Sequence, residues 1–264
     1  MTRRWSSFFM SITKRQWIIL EIVIREYIDL AEPVSSRHIE ENYELGVSPA
    51  TIRNDLKKLV EEGYLEQPHS SAGRVPSDKG YRYFVNKILG KRPPPRQQIK
   101  EKVQRMERRM KDEIRFLREL TCLLAGLSSS LTYSYLTDKD LYWKEGFEET
   151  LLYPEFEDIE RLHSFLDLTK KFEKQLQKRF SNKIENNEIK VYIGKENPFQ
   201  IKDFSILISK CRLSKDRQAI VALLGPKRMA YDKNISLINS LVKLLEDGYG
   251  KEKNTGRKKE GGEK

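Results

Sequence analysis

Apolar positions recur every three or four residues along most of this chain, and the pattern breaks only at a few polar or proline-rich points. The first periodic stretch opens at Thr13, with Gln16 three residues on in capping-box spacing. Its inward stripe is Trp17, Leu20, Ile24, Tyr27 and Ile28, and Ala31-Glu32-Pro33 ends it. A short second helix is predicted behind Ser35 or Ser36, with Ile39 and Tyr43 inward. After Glu44-Leu45-Gly46, Ser48 is a good N-cap, and Pro49 suits the first helical position because it has no N–H to leave unpaired. This third helix is predicted to run to about Glu62 and to stop at Gly63.

In the third helix Ile52, Leu56 and Leu59 share one face. Ala50, Asn54 and Lys57 point the other way, flanked by Thr51 and Arg53, with Asp55 at the side. A strand from Tyr64 to Gln67, a polar tip from Pro68 to Gly73, and Arg74-Val75-Pro76 follow. Three short-linked helices and a basic hairpin make a winged helix-turn-helix over residues 13–76, in which the third helix enters the major groove and the wing lies along the backbone. Ser77 then caps a fourth helix, Asp78 to about Leu89, so the DNA-binding domain is placed at residues 1–89.

The chemistry of that surface is specific. The Ser48 helix start offers free N–H groups to a phosphate. Arg53 pairs bidentately with guanine and Asn54 with adenine, and Ala50 and Thr51 are small enough to meet a thymine methyl. Lys57, Arg74 and the Ser36-Arg37 helix start are expected to hold phosphates, which position without specifying. His69 and Ser70 sit at the wing tip, where His69 reads equally as a solvated loop residue or a DNA contact.

These residues resemble a known family. Glu32–Arg37, Leu45–Asn54 and Gly63–Tyr83 are similar to the N-terminal region of the HrcA heat-shock repressors. Val191–Asn197 and Leu224–Met229 with Tyr231 resemble that family's C-terminal, GAF-like part. The resemblance implies a homodimer on an inverted-repeat operator of chaperone genes, repression lifted by heat, and a GroE-type chaperonin that helps maintain the active repressor. Members of the family carry an inserted dimerisation segment between these blocks; only about residues 133–180 occupy that interval here, so this is a shortened form lacking most of it.

Residues 90–96, with three consecutive prolines and three positive charges, are read as an extended, solvated linker. From 97 to 131 a seam of Ile99, Val103, Met106, Met110, Ile114, Leu117, Leu120, Leu124, Leu127 and Leu131 predicts a long helix or a broken pair. Two readings stay open: a helix packed on its own domain, or a dimerisation helix using Val103, Met106, Met110, Ile114 and Leu117. An aromatic-rich connection of undecided structure follows over 132–152. The pattern then predicts a helix at 155–180, strands at 189–193, 204–211 and 218–224, and a last helix at 232–247. Residues 132–247 are thus an α+β, GAF-like domain, and the whole chain is α+β. Residues 248–264 are read as a disordered basic tail.

Composition narrows the function. The 264 residues carry a net charge of +11, of which the tail holds +3, so the folded part itself suits an anionic partner. Two distant cysteines, Cys122 and Cys211, give neither a disulfide framework nor zinc spacing. His38, His69 and His163 are scattered, and no nucleophile elbow, phosphate-binding glycine loop or metal cluster stands out. Leu224–Met229 reads better as a turned strand end than as an anion site. No catalytic residue, metal or cofactor is therefore assigned, no membrane span is expected, and the expected location is the cytoplasm. The reading is a DNA-binding repressor; the alternative is a DNA-binding adaptor that recruits a protein partner through its central helices.

Overall fold

The computed structural model describes residues 12–91, 97–109, 112–176, 180, 184–213 and 217–256. The chain divides into two compact units, residues 1–84 and 85–264.

The first unit is built on α1 (Lys14–Leu30), α2 (Ser36–Asn42) and α3 (Pro49–Glu61). The Thr13–Gln16 capping box forms in both directions, and Ala31 closes α1 in the left-handed region at φ 58°. The stripe of α1 is wider than expected: Ile19, Ile22 and Val23 join Leu20 and Ile24 in the core, while Tyr27 and Ile28 are only half-buried. Ile39, Ile52, Leu56 and Leu59 meet it from α2 and α3. Strands β1 (Leu65–Glu66) and β2 (Val75–Pro76) pair antiparallel as the wing. Helix α4 (Asp78–Lys91) leaves the wing over Gly80, where an added Cβ would lie 2.2 Å from the Tyr64 carbonyl oxygen. Only glycine lets the helix approach the strand this closely.

The second unit corrects two expectations. Of the long helix or broken pair read over 97–131, the chain has the pair, α5 (Gln97–Arg109) and α6 (Glu113–Ser128), and the helical seam ends before Leu131. Asp112 is extended at ψ 112° and caps α6 by accepting from the Ile114 N–H, which fixes the break. Leu131 falls instead at the start of β3 (Leu131–Leu136), which pairs with β4 (Leu141–Glu145). Short helix α7 (Phe147–Leu151), a 3-10 turn at Pro154–Glu157 and α8 (Ile159–Gln175) follow. Strands β5 (Ile189–Ile193), β6 (Phe204–Arg212) and β7 (Gln218–Pro226) complete an antiparallel five-stranded sheet of order β4-β3-β7-β6-β5.

One face of the sheet carries Tyr133, Tyr135, Phe204, Ile206, Ile208 and Ile220 against Phe165, Leu168 and Phe172 of α8. The other is covered by α9 (Tyr231–Gly256), whose Tyr231 hydroxyl lies 2.7 Å from Ser205 Oγ. The second correction concerns the tail: residues 248–256, read as disordered, continue α9. Lys251, Glu252 and Lys253 are good helix formers, and helix extension is cheap once a packed helix has nucleated. The α+β class and the helices-around-a-sheet layering are those expected of a GAF-like module.

Candidate nucleic-acid interface

Helix α3 presents its polar face as the pattern predicts. Ser48 accepts from the Thr51 N–H at 3.3 Å, and its hydroxyl also lies 2.9 Å from Thr51 Oγ1. Ser48, Pro49, Ala50, Arg53, Asn54 and Lys57 are exposed, and Thr51 is half-buried beside its cap. The first turn holds no acidic residue. The acid that threatened this face, Asp55, is instead buried, bonded by Arg15 of α1 at 2.6 and 3.4 Å. Sequence placed Asp55 at the side of the helix; only the position of Arg15 one helix away shows that its charge is neutralised from within.

Three of the candidate contact residues are lightly tethered. Arg53 Nη2 lies 3.9 Å from Glu40 of α2, and Lys57 Nζ lies 3.8 Å from Glu61. Arg37 holds Glu41 at 2.7 Å with both side chains largely in solvent. The Arg37–Glu41 and Lys57–Glu61 pairs are exposed on both sides and worth at most about 1 kcal/mol, so a phosphate displaces them at small cost. The Arg53–Glu40 contact is long and holds an Arg53 side chain that is itself 65% exposed. Ser36 is half-buried at the start of α2, where Ser35, rather than Ser36, makes the cap by accepting from His38 N–H.

The wing is more constrained than a free hairpin. Val34 exchanges both backbone hydrogen bonds with Arg74, at 2.9 and 2.7 Å, so the α1–α2 connection adds a third short rung beside β2. Gly73 lies against this rung, where an added Cβ would stand 2.5 Å from the Pro33 carbonyl oxygen. The Gln67 amide donates to the Ser70 and Ala72 carbonyls at 2.8 and 3.2 Å and shapes the tip. His69 and Ser70 are exposed there, with His69 Nδ1 3.1 Å from Ser71 Oγ. Arg74 differs from the expectation of a free phosphate contact: it is half-buried, and its Nη1 donates to the Ala72 carbonyl at 3.0 Å. Its guanidinium is spent in part on holding the loop.

A polar cluster behind α2 was not foreseen. Glu26 of α1 receives the Tyr43 hydroxyl on one oxygen and has His38 Nε2 2.5 Å from the other. The Tyr43 hydrogen bond holds the Glu26 carboxyl below its usual range, and the same bond, with burial, pushes Tyr43 up to about 12. The cluster fixes α2, and with it the turn that leads into α3.

The dimerisation candidates are placed differently from the DNA residues. Val103 and Leu117 are 1% and 0% exposed in the single chain, where α5 and α6 pack with α9. Met106 and Ile114 are half-buried, and Met110 lies outside the described residues. The seam therefore builds this unit's own core, because breaking the helix at Asp112 folds its two halves onto one domain. A partner-recruiting surface on the same seam loses Val103 and Leu117 for the same reason.

The C-terminal motif residues form internal locks. Asn197 is buried, donating to Gly194 and Ile201 carbonyls at 2.6 and 2.5 Å and accepting from the N–H groups of Phe199 and Ile201. Arg228 is 6% exposed, 2.5 Å from Glu155, and its guanidinium lies over the Tyr153 ring at 5.0 Å. A cation already paired and buried leaves Leu224–Met229 a turned strand end. Among the described residues, no helix is long and apolar enough to cross a membrane, and no group of three acidic, His or Cys residues is arranged to hold a metal.

Residues 81–235, more than half of the chain, match the family described as HrcA protein C terminal domain. The chain belongs to the HrcA family. Residues 37–77 also match the DeoR-like helix-turn-helix domain, the segment from α2 to the end of the wing. A heat-inducible transcription repressor HrcA of Symbiobacterium thermophilum is 44% identical over 124 residues, 44% of this chain and 36% of that protein. The HrcA of Lachnoclostridium phytofermentans is 26% identical over 343 aligned positions, covering 92% of this chain and 99% of the relative. That alignment is longer than the 264-residue chain, so part of the longer HrcA has no counterpart here. A crystal structure of a hypothetical protein shares the fold, with a TM-score of 0.69 at 22% identity over 91% of this chain and 98% of that one.

Proposed function

We propose that this chain is a sequence-specific transcription repressor of heat-shock genes that binds an inverted-repeat operator as a homodimer and lets go on heating. The observation that carries the reading is the outward face of α3, where exposed Arg53 and Asn54 stand behind an uncharged Ser48-Pro49-Ala50 start with Asp55 turned inward. That suits a base-reading surface, because the first turn of α3 carries no acid and Asp55 faces inward. Family membership adds weight, since relatives carry the description heat-inducible transcription repressor. On this reading Ser36, Arg37, Lys57 and the wing tip His69-Ser70 hold the backbone, and Arg74 shapes the wing. The site of action is the cytoplasm, and a GroE-type chaperonin is the partner that maintains the active state, on the strength of the resemblance alone.

Nuclease footprinting on DNA upstream of the protein's own gene tests the reading. A protected inverted repeat with half-sites about one helical turn apart, ~34–36 Å, is the expected result. Protection is expected to fade in a temperature series. Uniform, salt-sensitive coverage without a boundary at any temperature overturns sequence-specific repression.

A further inference from the structure

Strand β4 ends the sheet in an unusual way. Natural edge strands are shielded by proline, a bulge, or charges reaching over the edge. Leu141–Glu145 contains no proline or glycine, and its register with β3 runs unbroken from Leu136↔Leu141 to Thr132↔Glu145. Lys144 does not guard the edge, because its ammonium is drawn onto α8, 2.9 Å from Glu173 Oε1. The Tyr142 hydroxyl reaches the same carboxylate at 3.4 Å, so Tyr142 and Lys144 stand on the α8 side of the sheet. Leu141 and Tyr142 are each 43% exposed. The opposite edge, β5, has no fully exposed residue.

We propose that two copies of this chain join edge to edge through β4, antiparallel about Trp143, so that their two five-stranded sheets become one. This rests on the homodimer in the proposed function and supplies the surface that the buried seam of α5 and α6 does not. A two-fold axis normal to the sheet keeps each face on its own side, so residues of like parity must meet. Centring on Trp143 sets it against Trp143 of the second copy. Tyr142 then faces Lys144 of the second copy twice over, a cation beside an aromatic ring already anchored by Glu173. Leu141 falls opposite Glu145. Main-chain hydrogen bonds supply affinity, and the aromatic pairs set register.

Cysteine scanning in the full-length chain tests it. Cys122 is exposed and is first replaced by Ser, whereas Cys211 is buried and stays. Directly opposed residues in an antiparallel pair have Cα atoms about 4.5–5.5 Å apart, within disulfide range. With diamide as oxidant, Trp143→Cys is expected to give a covalent dimer. Leu141→Cys alone and Glu145→Cys alone are expected to stay largely uncross-linked, and a mixture of the two to cross-link. Trp143→Lys is expected to shift wild-type dimer to monomer by light scattering with unchanged circular dichroism. Equal cross-linking at all three positions, or a dimer that Trp143→Lys leaves intact, overturns the pairing; so does a monomeric wild type, which leaves the edge to another protein's strand. Operator binding is measured on the same samples: specific binding without the Trp143→Cys cross-link sinks the edge pairing alone, and a cross-linked dimer blind to sequence sinks the repressor reading alone.

Discussion

Arg15 on α1 closes over Asp55 on α3, its Nε 2.6 Å from a carboxylate that is only 4% exposed. The pair ties α3 to α1 and turns a negative charge away from the face of α3 proposed to read bases. Arg15→Met leaves that carboxylate buried without its cation, which costs far more than losing a surface pair. The thermal midpoint is expected to fall well beyond the change for Arg37→Met, whose partner Glu41 is in solvent. Adding Asp55→Leu to Arg15→Met is expected to restore part of the loss, and a calorimetric double-mutant cycle reads the coupling.

On the proposed function, base reading by α3 is expected to separate from backbone holding. Arg53→Ala and Asn54→Ala are each expected to cost ~1–3 kcal/mol of discrimination between operator and scrambled duplex. Lys57→Ala is expected to weaken both duplexes alike and to lower the salt dependence. Titrations of each variant on both duplexes decide it; equal losses on the two duplexes for Arg53→Ala and Asn54→Ala would remove them from the base-reading set.

The winged helix was legible because its punctuation is local. Thr13, Ser35, Ser48 and Gly63 act within one turn of where they stand, and the caps formed where the pattern put them. The Arg15–Asp55 and Glu26–Tyr43 contacts join residues far apart in sequence, so no periodicity announces them. Strand β3 was missed for a different reason. Thr132 and Ser134 alternate with Tyr133 and Tyr135, but over only four positions and inside a longer aromatic-rich stretch with few breakers, so the short alternation does not stand out; in the fold both faces are buried. The break before α6 stayed one of two readings, because the apolar seam continues through it and a single capping residue, Asp112, does not outweigh that spacing.

Gly73 is where the wing meets the α1–α2 connection. A methyl group there stands 2.5 Å from the Pro33 carbonyl oxygen, and backbone on both sides leaves no side chain to swing aside. Gly73→Ala is expected to cost ~1–3 kcal/mol, as for other overpacked sites. It is also expected to displace the Val34–Arg74 rung. Amide exchange read by nuclear magnetic resonance is expected to show Val34 and Arg74 losing protection while Ile206 and Val221, in the sheet of the second unit, keep theirs.

The Glu26–Tyr43–His38 cluster sets a pH dependence at both ends. Glu26 titrates below its usual value when folded, chiefly through the Tyr43 hydroxyl, with burial opposing and His38 assisting. Its contribution is therefore present above the unfolded carboxylate range near ~4.3 and is lost as pH falls through the lower folded value. Tyr43, raised to about 12 by Glu26 and then by burial, contributes fully below the unfolded value near ~10 and loses that contribution as pH rises through 12. Urea melts across pH are expected to show a shallower acid loss for Glu26→Gln and a shallower alkaline loss for Tyr43→Phe. Parallel curves for wild type and variants would count against the cluster.

Arg228 and Glu155 join the end of β7 to the segment between α7 and α8, with the guanidinium stacked on Tyr153. At 6% and 17% side-chain exposure the two charges are largely out of water, and each depends on the other. Arg228→Met leaves Glu155 as a buried carboxylate and is expected to cost about 3–5 kcal/mol, the range for breaking such a pair from one side. Arg228→Lys keeps the charge but gives up planar stacking and the directed Nε donor, so its loss is expected to be smaller yet clear. If Arg228 instead served as an exposed anion contact, both variants would fold as stably as wild type and lose only DNA affinity. Chemical denaturation of Arg228→Met, Arg228→Lys and the Arg228→Met/Glu155→Leu double variant separates these outcomes. A double variant more stable than Arg228→Met alone is the result expected of a structural lock.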